Sequence, residues 1–342
     1  MAIWASTVEG LGMNQVLVTG ATGMVGSSLV HRLLAQQKTV VALVQDWDTQ
    51  SELMRSGDIA KVNVVNGGLE DLSALRRAIG KFDIDTVFHL GAQTIVGTAL
   101  KNPLETFEAN VRGTYQLLEV CREQAVQRIV VASSDKAYGD SPTLPYTEDM
   151  PLRGLHPYDA SKSCTDIIAQ TYAHTYNMPI TIARCGNIYG AGDLNWSRII
   201  PGTIRATLER QPIRLRSDGT MQRDYLFVED VVDAFLALAI AAPHKNVRGQ
   251  GFNFSPEKPF TVLEIVQAIL SIMDAADLEP IIENTAKFEI QHQYLDSSKA
   301  KRLLGWSAAH DLTAGLGKTI TWYKTFLDHK THLRAWSLLG AI

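Results

Sequence analysis

"QVLVTGATGMVGSSLVHRLLAQ", residues 15–36, is the stretch on which the fold turns. Its opening "QVLVTG" is an apolar run of strand length. From Met24 onward the apolar side chains recur at helical spacing. A strand therefore passes into a helix across "TGATGMVG" (19–26). Gly20 permits the tight turn, Gly23 lets backbone approach a pyrophosphate, and Gly26 allows helix and strand to pack closely. The free N–H groups of the helix N-terminus then face that anion. A glycine triplet alone says little. With the strand before it and the helix after it, the segment reads as a dinucleotide-binding loop, contacting its ligand through Gly20, Thr22, Gly23, Met24, Val25 and Gly26.

The same rhythm continues outward. "TVVALV" (39–44), "DTVFHL" (85–90), "RIVVAS" (128–133) and "ITIAR" (180–184) read as strands. "LSALRRAIGKF" (72–82), "LETFEANVRGTYQLLEVCREQ" (104–124) and "YDASKSCTDIIAQTYAHTY" (158–176) read as helices between them. Such alternation implies βαβ crossovers and an α/β fold: a Rossmann-type, doubly wound parallel sheet with helices on both faces. Beyond Arg184 the rhythm breaks. A helix at 199–210 and a short strand "PIRLRS" (212–217) lead to helices at 228–242, 261–273, 297–305 and 312–327. The expected organisation is an N-terminal extension (1–13), a dinucleotide-binding domain (14–185), a smaller mixed, helix-rich substrate lobe interleaved with it (186–330), and a C-terminal tail (331–342). Ligands of open α/β sheets bind at the carboxyl ends of the strands, against which such a lobe packs.

Bulk composition narrows the function. The 342 residues are 46% hydrophobic and 20% charged, an ordinary globular balance. Thirty-two basic against 36 acidic side chains leave a net charge of -4, with no run of like charge, so neither nucleic acid nor an anionic membrane is indicated. No apolar stretch approaches the roughly 20 residues that span a bilayer. The start "MAIWASTVEGLG" lacks the basic and apolar regions of a signal peptide. Cys121, Cys164 and Cys185 are far apart and odd in number, giving neither a disulfide framework nor a metal cluster. A cytoplasmic protein without a metal is expected.

"YDASK" sets Tyr158 and Lys162 four residues apart, on one face of a helix. Free tyrosine, with a pKa near 10, is a poor base at neutral pH. An adjacent ammonium and the positive ring of an oxidised nicotinamide both favour its phenolate. Glycines spaced G-x-x-G-x-x-G, a polar strand end "SSDKAYG" (133–139) and Y-x-x-x-K follow in that chain order. The set resembles the extended short-chain dehydrogenase/reductases, and the resemblance covers roughly residues 14 to 325. It implies a Ser134–Tyr158–Lys162 triad. It also implies a cofactor site to which Asp46, Leu69, Leu90, Ala92, Asn110 and Cys185 contribute beside the loop and the Tyr–Lys pair. Asp46, near the end of the second strand, suits the ribose hydroxyls of NAD; no arginine stands beside it to favour the 2'-phosphate of NADP, which stays as the alternative. Gly68 in "GGLED" stands where the family often has an aspartate for the adenine, leaving the Leu69 backbone as the contact.

Within that family the residues after the triad serine separate the chemistries. Sugar-nucleotide 4-epimerases generally carry small or hydroxyl residues there, and 4,6-dehydratases carry an acid and a base. Asp135 and Lys136 follow the second pattern, and S-D-K is closest to the CDP-glucose 4,6-dehydratases. "HLGAQTIVGTALKNPLETFEANVRGT" (89–114) and "ARCGNIYGAGDLNWSRIIP" (183–201) agree with the resemblance. The implied reaction oxidises C4 of a nucleotide-diphosphate sugar, eliminates water across C5–C6 and returns the hydride to C6. Asp135 is the candidate acid, needing burial to raise its pKa; Lys136 is the candidate base and must be neutral to act. Asn187, Arg198 and Arg223 are expected at the diphosphate, where the planar guanidinium binds phosphate oxygens in pairs. Gln93 and Thr94 are expected at the sugar. "RDYLFVED" (223–230) is commoner in GDP- and UDP-sugar relatives, so the base stays open. A 4-epimerase or decarboxylase of the same fold is the nearest alternative, and a non-catalytic NAD(P)-binding regulator a remote one. The long helices at about 103–124 and 158–177 resemble the family's dimer-forming pair, so a homodimer is expected. His89 and His156 are expected to be packed or solvated rather than ligands.

Overall fold

A computed structural model describes residues 12–285 and 290–339, with side chains to residue 328. The N-terminal extension, but for residues 12 and 13, and the last three residues of the expected tail lie outside the described residues.

The strands, in chain order, are β1 (Gln15–Thr19), β2 (Thr39–Val44), β3 (Asn63–Asn66), β4 (Thr86–His89), β5 (Arg128–Ala132), β6 (Ile180–Cys185), β7 (Asn187–Tyr189), β8 (Arg214–Leu215), β9 (Gln222–Arg223), β10 (Tyr225–Phe227), β11 (Gly251–Phe254), β12 (Phe260–Thr261), β13 (Ile281–Ile282) and β14 (His292–Gln293). Seven of them form one sheet in the order β11-β6-β5-β4-β1-β2-β3, every pairing parallel. The direction of winding reverses between β1 and β4, and that switch point opens a crevice at the carboxyl ends of the strands.

The helices are α1 (Met24–Ala35), α2 (Glu52–Arg55), α3 (Leu72–Gly80), α4 (Val96–Lys101), α5 (Pro103–Phe107), α6 (Gly113–Glu123), α7 (Pro157–Tyr176), α8 (Ile199–Leu208), α9 (Val228–Ala241), α10 (Val262–Ile272), α11 (Ser298–Leu304) and α12 (Leu312–Leu339). Strand side chains alternate between two apolar layers, as a sheet covered on both faces requires. Val16, Val18, Val40, Ala42 and Val130 pack towards α1 and α9. Leu17, Val41, Val87, Ile129 and Val131 pack towards α3, α6 and α7.

Local chemistry fixes the helix ends. The Asp71 carboxylate caps α3 by accepting from the Ser73 and Ala74 amides. Thr261 and Glu264 form a reciprocal capping box on α10. α7 begins with Pro157 at its first position and ends at Asn177 in the left-handed conformation.

Several details depart from the pattern reading. The helix expected over 104–124 is interrupted by a π turn at Glu108–Arg112, where the Asn110 carbonyl accepts from the hydroxyls of Thr114 (2.5 Å) and Thr165 (2.9 Å). The strand expected over 212–217 is only two residues of β8, and α12 runs well past 327. The chain also returns to the main sheet at β11, a four-residue buried strand too short to register by periodicity. The remaining short strands pair in three smaller sheets: β7 with β10, β8 with β13, and β9 between β12 and β14. No helix among the described residues is long and apolar enough to cross a membrane.

Candidate active site

The crevice is a cleft of about 1240 Å³ running from the glycine loop to β8 and β9. At one end, Gly20 has φ +69° and a Cβ there would meet the backbone of Gly91 at 2.7 Å, so only glycine lets the β1 and β4 ends approach. A Cβ on Gly26 would sit 2.0 Å from the Gly20 carbonyl oxygen. Gly20, Thr22, Gly23, Met24, Val25 and Gly26 line this end, with α1 starting directly behind them. A dinucleotide pyrophosphate fits here: the backbone is bare, and no acidic side chain stands in the first turn of α1 to repel it.

Leu90, Ala92 and Thr94 from the β4 end and Cys185 and Asn187 from the β6 end form the walls further in. Cys185 is a buried thiol that burial pushes far up, which suits a packing wall rather than a nucleophile. Asn110 and Gln93 stand behind the wall. The Asn110 amide accepts from Gln93 N (2.7 Å) and donates to Gln93 O (3.0 Å) and Ser161 Oγ (2.9 Å), tying the loop after β4 to α7. Leu69 is buried against Gly91 and Gly113, and Asp46 is exposed just past β2. His89 is a packed core histidine between the Thr19 and Thr114 hydroxyls at 3.0 Å each; burial holds it down to about 3.

Ser134, Tyr158 and Lys162 converge at the centre of the cleft. Lys162 Nζ donates to the carbonyl of Ala132, the last residue of β5, at 2.8 Å. Burial lowers Lys162 to about 8 against the opposing pull of Asp166, which itself holds Arg184 in a buried two-point ion pair at 2.8 and 3.0 Å. Burial pushes Tyr158 up to about 12, and the Asp135 charge adds to the rise while a hydrogen bond with Ser134 opposes it. The protein's own groups therefore leave the tyrosine protonated at neutral pH. A positive nicotinamide ring is the further charge that would lower it.

The strand end supplies the other pair. Ser134 caps a single 3-10 turn, Asp135–Tyr138, accepting from Lys136 N (3.2 Å) and donating to Asp135 Oδ1 (2.9 Å). Asp135 is 3% exposed. Burial raises its pKa, against the pull of Lys136, Ser134 and Arg223. Lys136 lines the cleft beside it, and its Nζ donates to Gln293 Oε1. Asp135 and Lys136 line the same cleft as Tyr158, Asp135 buried and Lys136 half-buried.

At the far end, Arg198 precedes α8 and pairs with Asp193 at 3.1 Å. Arg223 is buried, its guanidinium donating to the carbonyls of Gln222 (2.8 Å), Gln291 (3.0 Å) and Ile290. Two residues near the acid–base pair went unnoticed in the sequence. Asp159, next to Tyr158 on α7, is buried and its pKa is raised by that burial, with Lys136 opposing. Gln293 comes from β14, and nothing in "QHQYLD" (291–296) marks it, because its significance is its position across the cleft.

The NAD dependent epimerase/dehydratase family profile matches residues 16–254. The UDP-glucose 4-epimerase of Mycolicibacterium smegmatis is 30% identical over 319 residues, covering 91% of this chain and 98% of the relative. The CDP-glucose 4,6-dehydratase of Salmonella typhimurium is 29% identical over 332 residues, covering 92% and 91%. Among solved structures, the dTDP-glucose 4,6-dehydratase of Bacillus anthracis in complex with NAD superposes with a TM-score of 0.80 at 26% identity, covering 91% of this chain and 97% of that one.

Proposed function

The chain belongs to the NAD dependent epimerase/dehydratase family, and on that premise we propose that it is a nucleotide-diphosphate-sugar 4,6-dehydratase, a lyase that makes a 4-keto-6-deoxy sugar nucleotide. The observation that carries this reading is the Asp135–Lys136 pair. An acid whose pKa burial raises and an amine stand side by side at one strand end, within the same cleft as the family's Ser–Tyr–Lys set.

The chemistry asks for such a pair. Bound NAD supplies the acceptor for the C4 hydride and its return at C6. Tyr158 takes the proton of the C4 hydroxyl, with Ser134 and Lys162 orienting it. The resulting ketone acidifies the C5 hydrogen, which Lys136 removes as a neutral amine. Asp135, protonated, gives its proton to the departing C6 hydroxyl so that water leaves. Asp135 and Lys136 must therefore address adjacent carbons, and consecutive residues on a tight turn can do so. Arg198, Arg223 and Asn187 line the same cleft and are assigned to the diphosphate; Thr94, with Gln93 behind it, is assigned to the sugar.

The three cysteines are free, which supports a reducing, cytoplasmic setting. Homodimerisation is proposed through α5, α6 and α7, whose outer face leaves Leu104 69% and Ile167 52% exposed, together with Phe107 and Tyr115. The test of the activity is incubation of the protein with CDP-, GDP-, UDP- and dTDP-hexoses, read by product mass. Loss of one water from at least one of them is expected. An epimer of unchanged mass would favour the 4-epimerase, whose relatives match over a similar length.

A further inference from the structure

Gln293 reaches the candidate base from the opposite lobe. It lies in β14, wholly buried and in register with Arg223 of β9. Its Oε1 accepts from Lys136 Nζ, and its Nε2 is buried without a hydrogen-bond partner. A buried donor without an acceptor is costly, so its presence asks for a reason.

An amide presents both an acceptor and a donor at the same place. Oε1 accepts from an ammonium; after the amide turns over, Nε2 can donate to the lone pair of a neutral amine. A carboxylate at this position offers acceptors only. It would hold the ammonium by charge and oppose loss of its proton. We propose that Gln293 is the positioning residue of Lys136, an uncharged partner that holds the base in both of its protonation states through one catalytic cycle. This rests on the dehydratase reading, in which Lys136 takes the C5 proton as an amine and returns it as an ammonium. The other charged groups facing the site are Asp135 beside Lys136, Asp159 on α7 with His156 at the same helix start, Arg223 on β9, and Asp224 directly after it, which lies within the field of Asp135. Asp135 and Asp159 already favour the ammonium there, so a further carboxylate on β14 would trap it.

The experiment compares pH profiles of water loss for the wild-type holoenzyme, Gln293→Glu and Gln293→Met, with NAD content and Tm recorded for each. Gln293→Glu should displace the acid limb of kcat upward by about one pH unit or more, a loss of about tenfold at pH 7 that is regained at higher pH. Gln293→Met should lower kcat at every pH, with KM and the position of the limb unchanged. In a Lys136→Ala background, Gln293→Glu should cost nothing further. An unmoved limb in Gln293→Glu, or a further loss in the Lys136→Ala background, overturns the proposal. Should Gln293→Glu not fold, Gln293→Met decides: a lowered kcat at unchanged KM supports the role, and wild-type kcat overturns it. A wild-type enzyme that removes water from no sugar nucleotide brings down the dehydratase reading and this role together. A dehydrating wild type with an unmoved Gln293→Glu profile removes only the role of Gln293.

Discussion

Asp135 and Tyr158 are both pushed up by burial, and the Asp135 charge raises Tyr158 further. For an acid that must hold its proton until C6–O breaks, that arrangement is favourable; for the tyrosine it is a barrier that a cationic ring must offset. Asp135→Asn keeps the shape but has no acidic proton. It should reduce water loss by about 10²–10⁴-fold, the usual worth of a positioned general acid, with the Tm close to wild type. Asp224 allows a separate test in which stability is the readout. It is 1% exposed and burial raises it to about 7, with the charges of Asp135 and Glu257 adding to the rise. Its folded value lies above its unfolded one, so its contribution is fully present below pH ~4 and is lost as pH rises through about 7. Asp224→Asn retains an acceptor for the Leu295 amide. It should leave the Tm at pH 4 little changed and raise it at pH 8, by an amount worth up to roughly 4 kcal/mol. A variant less stable than wild type at both pH values would contradict this.

At the scale of elements, the site is assembled where β1, β4, β5 and β6 end, each contributing a short segment to one crevice. The glycine loop, the Y-x-x-x-K helix and the polar end of β5 were legible in the sequence because each is a local pattern: a turn that tolerates no side chain, two residues one helical turn apart, an apolar run that stops in charge. The π turn was not legible. It depends on two hydroxyls, Thr114 and Thr165, converging on the Asn110 carbonyl from separate helices. A π turn that presents a buried amide to the loop after β4 often marks a functional site. Asn110→Ala should unpin Gln93 from α7 and raise the KM for the sugar nucleotide more than it lowers kcat. An unchanged KM would show that the amide serves the fold alone. Gly26→Ala should lose NAD, measured as bound cofactor, because its Cβ would fall on the Gly20 carbonyl.

Across the whole molecule, the parallel sheet was readable from alternation, whereas β11 was not. Four buried residues that begin with a glycine carry no period, and only their pairing with β6 places them in the sheet. Gln293 escaped notice for a related reason, since nothing in "QHQYLD" distinguishes it from an ordinary polar residue; Asp159 sits inside "YDASK" itself, and what sets it apart is its burial, which the motif does not encode. The exposed apolar face of α5, α6 and α7 bears on assembly. Leu104→Glu combined with Ile167→Glu should convert a dimer to a monomer by light scattering, and a wild type already monomeric would contradict the proposed assembly.

The central claim is that one acid and one base address adjacent carbons of the same hexose. Turnover of an accepted sugar nucleotide in deuterated water, read by mass and by NMR at C5, tests it most directly. The account predicts a product lighter by one water and carrying deuterium at C5, with Lys136→Ala slowing both changes by about 10²–10⁴-fold. A product of unchanged mass, or water loss and C5 labelling at the wild-type rate in Lys136→Ala, would contradict it.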